Sequence, residues 1–542
     1  MGTLASLNSS GVPTSLTGLT GVGAVKRVED IYDDPQFFID GAAANDVRQG
    51  INGDCWFLAA ITALSGKPAL LEKLCVAQDA KVGVYGFVFF RDGEWISEVV
   101  DDRLCLRQGD ENYTTYPTEY LLKTYGYQDV LNIPLNEVVG TVRKLPKEFR
   151  DSLREGSNAL YFASCRDSNE TWLPLMEKAY AKAHGDYQAI EGGFPGEGIE
   201  DLTGGVASVI RSEDVLDKEQ LWQELTQVND KFLFGCCSRR GTSNPADEEG
   251  FVRCHAYTVL EAREIDKPKS LIEAEEREAI MKKKSKKNKC NDTKVRLLKL
   301  HNPWGKQEWN GAWSDGSKEW TPEVMKELGH TFGDDGLFWI SYQDFLRYYP
   351  EIDRTRLFGD EWTVAQQWAA VNVPWTAEYI DSGFKFKLTK PGPVVLVLSQ
   401  PDDRYFQGFT GRYSYQLHFR LYKEGEDTYL LRSMEDSGSN RSVKAESDLD
   451  PGTYTVLVKI TSKRSSLADT PEEVIKKFRA SQTDKLLAVG KSFDLTHSKG
   501  KLREKEQENE GKKKKDAKDK EHKELMTTRK QNRNDRMREH AR

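Results

Sequence analysis

The segment that most constrains the fold begins with Cys55 and Trp56 and continues as a mostly apolar run from Phe57 to Leu64. The run contains no Gly or Pro and predicts a helix, and a helix that is apolar on every side has to be surrounded by other structure. The chain must therefore build a large core around it. Its 542 residues suffice for two or three folded units, because one core rarely serves more than about 250–300 residues.

The remainder of the chain divides into regions of different pattern. From about Val28 to Tyr349, helical and strand-like segments alternate irregularly, which predicts an α+β fold. After about Phe358, short runs of alternating apolar and polar residues are separated by Pro and Gly, which predicts an all-β sandwich. Residues 1–25 have few large apolar side chains and are predicted to be disordered, and the tail after about Pro471 to be helical or disordered.

The charge distribution limits the kinds of binding partner to be expected. A net charge of −8 gives no overall positive field, so nucleic acid is not the expected partner of the whole chain. The tail from Lys499 to Arg542 is locally basic, with 17 Lys or Arg against 10 Asp or Glu. It could contact anionic lipid or nucleic acid weakly, but the intermixed acids favour a solvated helix. The charged segment 262–292 is either a docking site or a solvated insertion, and the second is the simpler interpretation.

Cysteine usage predicts a reducing compartment. The eight cysteines show no paired spacing, and the chain begins without the basic, apolar and small-residue segments of a secretory leader. These features are typical of free thiols and a cytoplasmic location, and no run of about 18 apolar residues predicts a membrane span. Gly2 lies in an N-myristoylation pattern, which would give at most a weak membrane contact.

Cys55 is the candidate nucleophile. A cysteine at the start of a helix faces the positive end of the helix dipole and free backbone N–H groups, which stabilise a thiolate. Gln49, six residues earlier, can supply an amide donor beside the Cys55 N–H to hold the oxyanion of a tetrahedral intermediate. Taken alone, a buried cysteine is more often structural, so the interpretation depends on a base elsewhere in the chain.

His255 is the candidate base, because among the histidines it is the one in a strand-like apolar run, Phe251 to Leu260. Asn302 follows a second strand-like run, Leu297 to His301, and its side-chain carbonyl can accept from the imidazole and fix its tautomer. Trp304 can shield that bond from water. The order Cys, His, Asn, each in a suitable context, predicts thiol-based catalysis.

Across about residues 28–356 the sequence resembles the calpain family of cysteine proteases. The resemblance is carried by five motifs, which are Gln49 to Trp56, Glu177 to Lys182, Glu200 to Gly205, His255-Ala256-Tyr257 and Asn302 to Gly305. It implies a papain-like core in two subdomains, residues 26–205 carrying Cys55 and residues 206–356 carrying His255 and Asn302. Looser similarity assigns residues 357–465 to the β-sandwich that follows this core, with a basic tail over 466–542. The implied activity is limited, calcium-dependent cleavage of intracellular proteins, which are bound as extended segments.

The resemblance also implies one calcium ion in each subdomain, bound by hard oxygen ligands. The first site corresponds to the carbonyl oxygens of Ile39 and Gly41 and the carboxylates of Asp46 and Glu177. The second corresponds to the carboxylates of Glu308, Asp315 and Asp335 and the carbonyl oxygen of Gly333. Leu337 stands where calcium-responsive members carry a further carboxylate, which weakens or abolishes this site, and its acids could instead be solvated surface groups.

Three further features depart from the family pattern. Cys254 replaces a small Gly before the histidine, as a tolerated residue or as a redox-sensitive thiol. Extra sequence near residues 111–157 could form an additional lobe. No complete calcium-binding hand loop occurs, which predicts an atypical member without that domain. The alternative function is a catalytically silent scaffold or adaptor that docks to partners or membrane, although both Cys55 and His255 are present.

Overall fold

The structure is a computed structural model. It describes residues 22–39, 41–107, 156–238, 252, 254–269, 271–273, 293–371, 373, 378–380, 383–406, 409, 413–433, 441–465, 468–499, 520 and 527. The predictions for the N-terminal glycine motif, nearly all of the segment 111–157, most of the segment 262–292 and most of the basic tail fall outside these residues. Every cysteine that is described is a free thiol, as predicted, and no described helix is long and apolar enough to cross a bilayer.

The predicted central helix is α1 (Cys55–Ser65), and every residue from Trp56 to Leu64 is buried. Three further helices share its core: α2 (Pro68–Leu74), α3 (Trp172–Ala183) and α4 (Pro195–Thr203). An antiparallel sheet packs there too, made of β3 (Cys75–Asp79), β4 (Val84–Arg91) and β5 (Glu94–Asp101). Aromatic contacts tie these elements together, since the Phe57 ring of α1 stacks on the Tyr180 ring of α3 with centroids 3.8 Å apart.

Two short antiparallel pairs complete this part of the molecule, namely β1 (Val22–Arg27) with β6 (Arg103–Arg107) and β2 (Val47–Arg48) with β7 (Ser164–Cys165). Strand β1 corrects the prediction of disorder for residues 22–25, because these residues belong to the strand. The segment has few large apolar side chains, but its backbone pairs with β6 along the edge of the core. Backbone hydrogen bonding of this kind leaves no signal in composition.

The middle of the chain forms one six-stranded antiparallel sheet. In spatial order its strands are β12 (Leu337–Ser341), β11 (Lys294–His301), β10 (Ala256–Asp266), β9 (Phe232–Cys237), β13 (Glu351–Arg356) and β8 (Val206–Arg211). Among the described residues, this part also contains helices α5 (Lys218–Leu225), α6 (Pro322–Leu328) and α7 (Tyr342–Tyr348). Helix α1 contacts the sheet directly, because the Thr258 hydroxyl of β10 donates to the Ala59 carbonyl at 2.6 Å. Helices and strands are thus mixed across this region, as the α+β prediction requires.

The C-terminal unit contains two antiparallel sheets. One is ordered β14 (Gly383–Leu388), β19 (Gly452–Arg464), β16 (Tyr413–Lys423) and β17 (Leu431–Arg432), and the other pairs β15 (Gly392–Ser399) with β18 (Ser442–Leu449). Apolar residues from both sheets form one cluster, and in β14 Phe386 faces it while Lys387 is exposed. The alternating runs in the sequence therefore lie in strands, each with one face buried.

The chain then turns back towards the first half of the molecule. Helix α8 (Pro471–Phe478) begins at the predicted proline, and Thr470 and Glu473 form a capping box at its start. A second helical stretch covers residues 483–499. Within it the Lys485 ammonium lies 2.8 Å from the Asp186 carboxylate, so the start of the tail packs on the first half of the chain.

Candidate active site

Cys55 is the first residue of α1, and its thiol lies against the strand that follows His255. Burial raises the pKa of the Cys55 thiol, and the nearby Asp54 carboxylate raises it further. Backbone N–H groups act in the opposite direction, including that of Ala256 at the start of β10 and that of Trp56. Because Ala256 directly follows His255, the packing of α1 on β10 brings the candidate nucleophile and the candidate base into one site.

His255 and Asn302 are hydrogen bonded, with His255 Nε2 2.8 Å from Asn302 Oδ1. The Asn302 amide is held in one orientation, because its Nδ2 donates to the carbonyls of Lys306 and Gln307, each at 2.9 Å. Its Oδ1 must therefore accept from the imidazole, which places the proton on Nε2 and leaves Nδ1 as the basic nitrogen. Asn302 is fully buried and His255 is 4% exposed, so little water competes for this bond.

Trp304 and Ser238 complete the surroundings of His255. The Trp304 and His255 rings lie with centroids 4.8 Å apart, and the backbone N–H of Trp304 donates to Asn302 Oδ1 at 3.0 Å. Ser238, which the sequence did not single out, accepts from the His255 N–H at 3.1 Å and donates its own N–H to the His255 carbonyl at 3.0 Å. A lone serine at a strand end carries no sequence signal for this role, since the pairing depends on the sheet register.

Gln49 lies in a loop that connects the two halves of the site. Its backbone N–H donates to the Pro303 carbonyl at 2.9 Å, next to Asn302. Its side-chain amide nitrogen donates to the Asn52 carbonyl at 2.7 Å. The residue therefore lies close to Cys55 in the chain, and the second N–H of its amide is not used by the bond to Asn52.

The described state favours a neutral thiol and a neutral imidazole. Burial lowers the pKa of His255 to about 4, against the opposing effect of Asn302, while burial raises that of Cys55. We therefore expect alkylation of Cys55 by iodoacetamide to accelerate steadily from about pH 6 to about pH 9, as a high-pKa thiol does. The rate would be measured by mass spectrometry of the Cys55 peptide, with the exposed Cys254 as internal comparison. A plateau below about pH 7 would contradict this and indicate a thiolate–imidazolium pair.

Cys254 adopts a left-handed backbone conformation with φ of 52°. This region favours glycine, because a Cβ atom there approaches the following carbonyl at a cost of about 1–2 kcal/mol. The backbone thus explains why glycine suits the position before the histidine. The thiol itself is exposed.

At the first predicted calcium site, Glu170 takes the position that the sequence analysis gave to Glu177. The Ile39 N–H donates to Glu170 Oε1 at 2.9 Å, and the Asp46 carboxylate is an electrostatic neighbour of Glu170. Burial raises the pKa of Glu170 to about 7, with Asp46 adding to the effect, and burial also raises that of Asp46. Arg166 opposes this effect at Asp46. The two carboxylates are partly withdrawn from water and offer the hard oxygen atoms that a calcium ion prefers, so the donor set fits a hard cation.

Glu177 lies elsewhere in the core. Its Oε2 accepts from the Ala163 N–H at 3.0 Å, and its charged neighbour is Asp54, immediately before the candidate nucleophile. Both carboxyl groups are fully buried, and burial raises the pKa of each, that of Asp54 to about 6. The structure therefore brings Ile39 and Asp46 to Glu170, with Gly41 two residues after Ile39 in the chain, and places Glu177 beside Asp54 at the start of α1.

The second predicted calcium site is brought together in one loop cluster. Glu308 Oε1 accepts from the Asp335 N–H at 3.0 Å and from the Gly336 N–H at 2.9 Å, while Asp315 Oδ2 accepts from the Gly333 N–H at 2.8 Å. Burial raises the pKa of Glu308 to about 7, and Asp315 and Asp335 add to this. Carboxylate oxygens brought this close together suit a hard cation, as at the first site.

Two neighbours modify that second cluster. Leu337 contributes only its N–H, which donates to Asp335 Oδ1 at 3.1 Å. His330 lies 2.6 Å from Asp315 Oδ1 through its Nε2. This imidazole was not predicted, and it competes with a cation for one of the carboxylates.

A third cluster of potential metal ligands was not predicted from the sequence. Among the described residues, one set of three potential ligands has its atoms within 4.8 Å of one another, and all three are buried: His184, Asp201 and Asp402. Arg441 contacts both carboxylates, with Nη2 2.6 Å from Asp201 Oδ1 and Nη1 3.4 Å from Asp402 Oδ2. The guanidinium already supplies the positive charge that these acids need, so a metal ion is not required there.

Comparison with known proteins agrees with this geometry. A family model described as "Calpain family cysteine protease" matches residues 19–122 and 149–356. Calpain-5 of Mus musculus is 27% identical over 485 residues, which cover 80% of this chain and 66% of that protein. Calpain-9 of Rattus norvegicus is 31% identical over 349 residues, or 62% of this chain and 39% of that protein, and Calpain-A of Drosophila melanogaster is 30% identical over 352 residues. The chain thus spans just under two thirds of the first relative and less of the second.

Proposed function

Because the chain belongs to the calpain family of cysteine proteases, we propose that it is a cysteine endopeptidase with Cys55, His255 and Asn302 as its catalytic residues. The observation that carries this proposal is the hydrogen bond of 2.8 Å between His255 Nε2 and Asn302 Oδ1, at the end of the strand that contacts Cys55. The proposal includes a papain-like division into residues 26–205 and 206–356. Its support is that the nucleophile comes from α1 and the base from the sheet on which α1 packs.

The proposed reaction begins with transfer of the Cys55 proton to His255 Nδ1. The thiolate then attacks the carbonyl carbon of the scissile bond, and the oxyanion is held by the Cys55 N–H and the Gln49 amide. Collapse of this intermediate breaks the C–N bond, and His255 donates its proton to the leaving amine. Water, deprotonated by His255, then attacks the thioester and releases the acid, which regenerates the thiol. Asn302 holds the imidazole throughout.

The proposed substrates are protein segments in extended conformation, cut at limited positions inside the cell. Each cut requires the chain to lie across the loop of Cys55 and to reach His255 on the other side. A β-sandwich in residues 357–465 is part of the proposal, supported by the apolar cluster between the two C-terminal sheets.

Calcium is the proposed regulator. At the first site Ile39, Gly41, Asp46 and Glu170 would hold the ion, and at the second the ligands would be Glu308, Asp315, Gly333 and Asp335. When bound, calcium supplies positive charge to carboxyl groups whose pKa values are raised by burial and by one another. Each proposed site lies next to an element of the candidate active site. Asp46 directly precedes β2, and the Asn302 side chain donates to the carbonyl of Gln307, the residue before Glu308.

The test of this function is covalent labelling with a peptide aldehyde or peptide epoxide in the presence of calcium. We expect one adduct per chain, on the Cys55 peptide, because among the seven cysteines that the structure describes this is the one given a base and an oxyanion site in the proposed mechanism. Cys55→Ser is the matched control and should remain unlabelled. Equal labelling of the exposed Cys254, or none at Cys55, would contradict the proposed protease function.

A further inference from the structure

Helix α4 lies between α1 and the C-terminal unit. On the side that faces α1, a Cβ atom at Gly198 would lie 2.7 Å from the Ala60 Cβ, so glycine is needed for the helices to approach this closely. On the side that faces the C-terminal unit, three acids lie at spacings of three and four residues, and so on one helix face: Glu197, Glu200 and Asp201. One face of α4 therefore packs tightly against α1, and another face carries three negative charges towards the C-terminal unit.

The C-terminal unit meets these acids with three cations: Arg404, Arg441 and Lys444. Arg441 Nη2 lies 2.9 Å from Glu200 Oε2, Lys444 Nζ lies 3.0 Å from Glu200 Oε1, and Arg404 pairs with Glu197. None of these side chains is more than 13% exposed. Buried charges are costly unless paired, so the two units are matched to each other at this contact.

Besides Glu197, the Arg404 side chain contacts residues close to Cys55. Its guanidinium lies 4.1 Å from the centre of the Trp56 ring, and its Nη1 donates to the Gly192 carbonyl at 2.7 Å. The Gly192 N–H in turn donates to the Gly53 carbonyl at 2.9 Å. Arg404 thus contacts Trp56, which follows the candidate nucleophile, and Gly192, which is hydrogen bonded to Gly53.

We propose that Arg404 is a positioning residue for Cys55, and that the C-terminal unit is therefore required to set the nucleophile for peptide cleavage. Arg404 touches neither the thiol nor a substrate, and it acts through Trp56 and Gly192. Arg441 and Lys444 anchor α4 so that Arg404 is presented in one place. This inference rests on the proposed protease function, and it gives Glu200 and Asp201 of the sequence motif a role as the docking point of the C-terminal unit.

The test compares three variants with the wild-type chain. Arg404→Met removes the support but also leaves Glu197 as an unpaired buried charge, which by itself lowers stability. The double variant Arg404→Met/Glu197→Gln removes that charge and keeps the loss of support. Arg404→Lys keeps the charge but cannot reach Trp56, Gly192 and Glu197 with one planar group.

In the double variant we expect a melting temperature near that of the wild type, with kcat for a fluorogenic peptide reduced about 10- to 100-fold and KM little changed, because a small displacement of the nucleophile costs that much. The alkylation of Cys55 by iodoacetamide should move to higher pH, while that of Cys254 stays the same. Arg404→Lys should recover stability but only part of kcat. Arg420→Met is the matched control, because Arg420 also lies over aromatic rings, at 4.7 and 4.8 Å, within the C-terminal unit.

Recovery of both stability and kcat in the double variant would overturn the proposal and leave Arg404 as one half of an ion pair. A rise in KM with unchanged kcat would also overturn it. Alkylation needs no turnover, so it still tests Arg404 if the wild-type chain cleaves no peptide. Failure of the protease function and failure of this inference are therefore distinguishable.

Discussion

Replacing His255 with alanine is expected to lower kcat/KM for peptide cleavage by about 10⁴-fold or more, with little change in melting temperature. The reason is that Asn302 Oδ1 occupies His255 Nε2, which leaves Nδ1 as the basic nitrogen that takes the Cys55 proton in the proposed mechanism. Cys55→Ala should cause a similar loss, and the double variant should be no worse, because the two residues act as one unit. Hydrolysis of a fluorogenic peptide with calcium present, and thermal unfolding of each variant, measure both effects.

The control for this result is His497→Ala, which removes an imidazole from the C-terminal helical stretch, where its ring stacks on Phe493. Its activity should equal that of the wild type. If His255→Ala retained more than about a tenth of the activity, a different base would have to accept the thiol proton, and the catalytic assignment would be wrong.

Glu170→Gln is expected to raise the calcium concentration needed for half-maximal activity by at least about 10-fold, because calcium affinity follows the number of charged ligands. The substitution keeps the shape of the side chain and an oxygen that can accept from the Ile39 N–H. Isothermal titration of calcium into the Cys55→Ala background would measure binding without self-cleavage, alongside the activity titration.

Glu177→Gln is the matched control, since it makes the same chemical change seven residues away in a fully buried side chain. The calcium requirement of this variant should be unchanged. Its amide oxygen can still accept from the Ala163 N–H, and this contact involves none of the proposed calcium ligands. The reverse result, with Glu177→Gln affected and Glu170→Gln unaffected, would restore the sequence assignment and remove Glu170 from the proposed calcium site.

Local pattern was sufficient for much of the fold. The apolar run after Cys55 predicts α1 correctly, because a side chain series without a polar face can be satisfied only inside a core. The alternating runs after Phe358 lie in strands for the same kind of reason, as successive side chains point to opposite faces. The start of β1 was missed, because its stability comes from pairing with β6 and not from its own composition.

The sequence likewise paired His255 with Asn302, and the two side chains are hydrogen bonded. It could not choose between Glu170 and Glu177, because the two carboxylates have the same chemistry and lie only seven residues apart, the first before α3 and the second within it. Only the packing of α3 decides which of them faces Ile39 and Asp46. Ser238 was out of reach for a similar reason, because its contact with His255 is set by the register of β9 and β10.

The sequence alone indicated the chemistry proposed for this protein, because a cysteine at a helix start, a histidine in a strand-like run and an asparagine after a strand are local features. The tertiary structure alone decided what holds Cys55 in place. Arg404 lies about 350 residues from Trp56 in the chain, and its guanidinium is 4.1 Å from the Trp56 ring. A contact of this kind depends on how two separately folded units pack, and the positions of charged residues along a chain do not encode that packing.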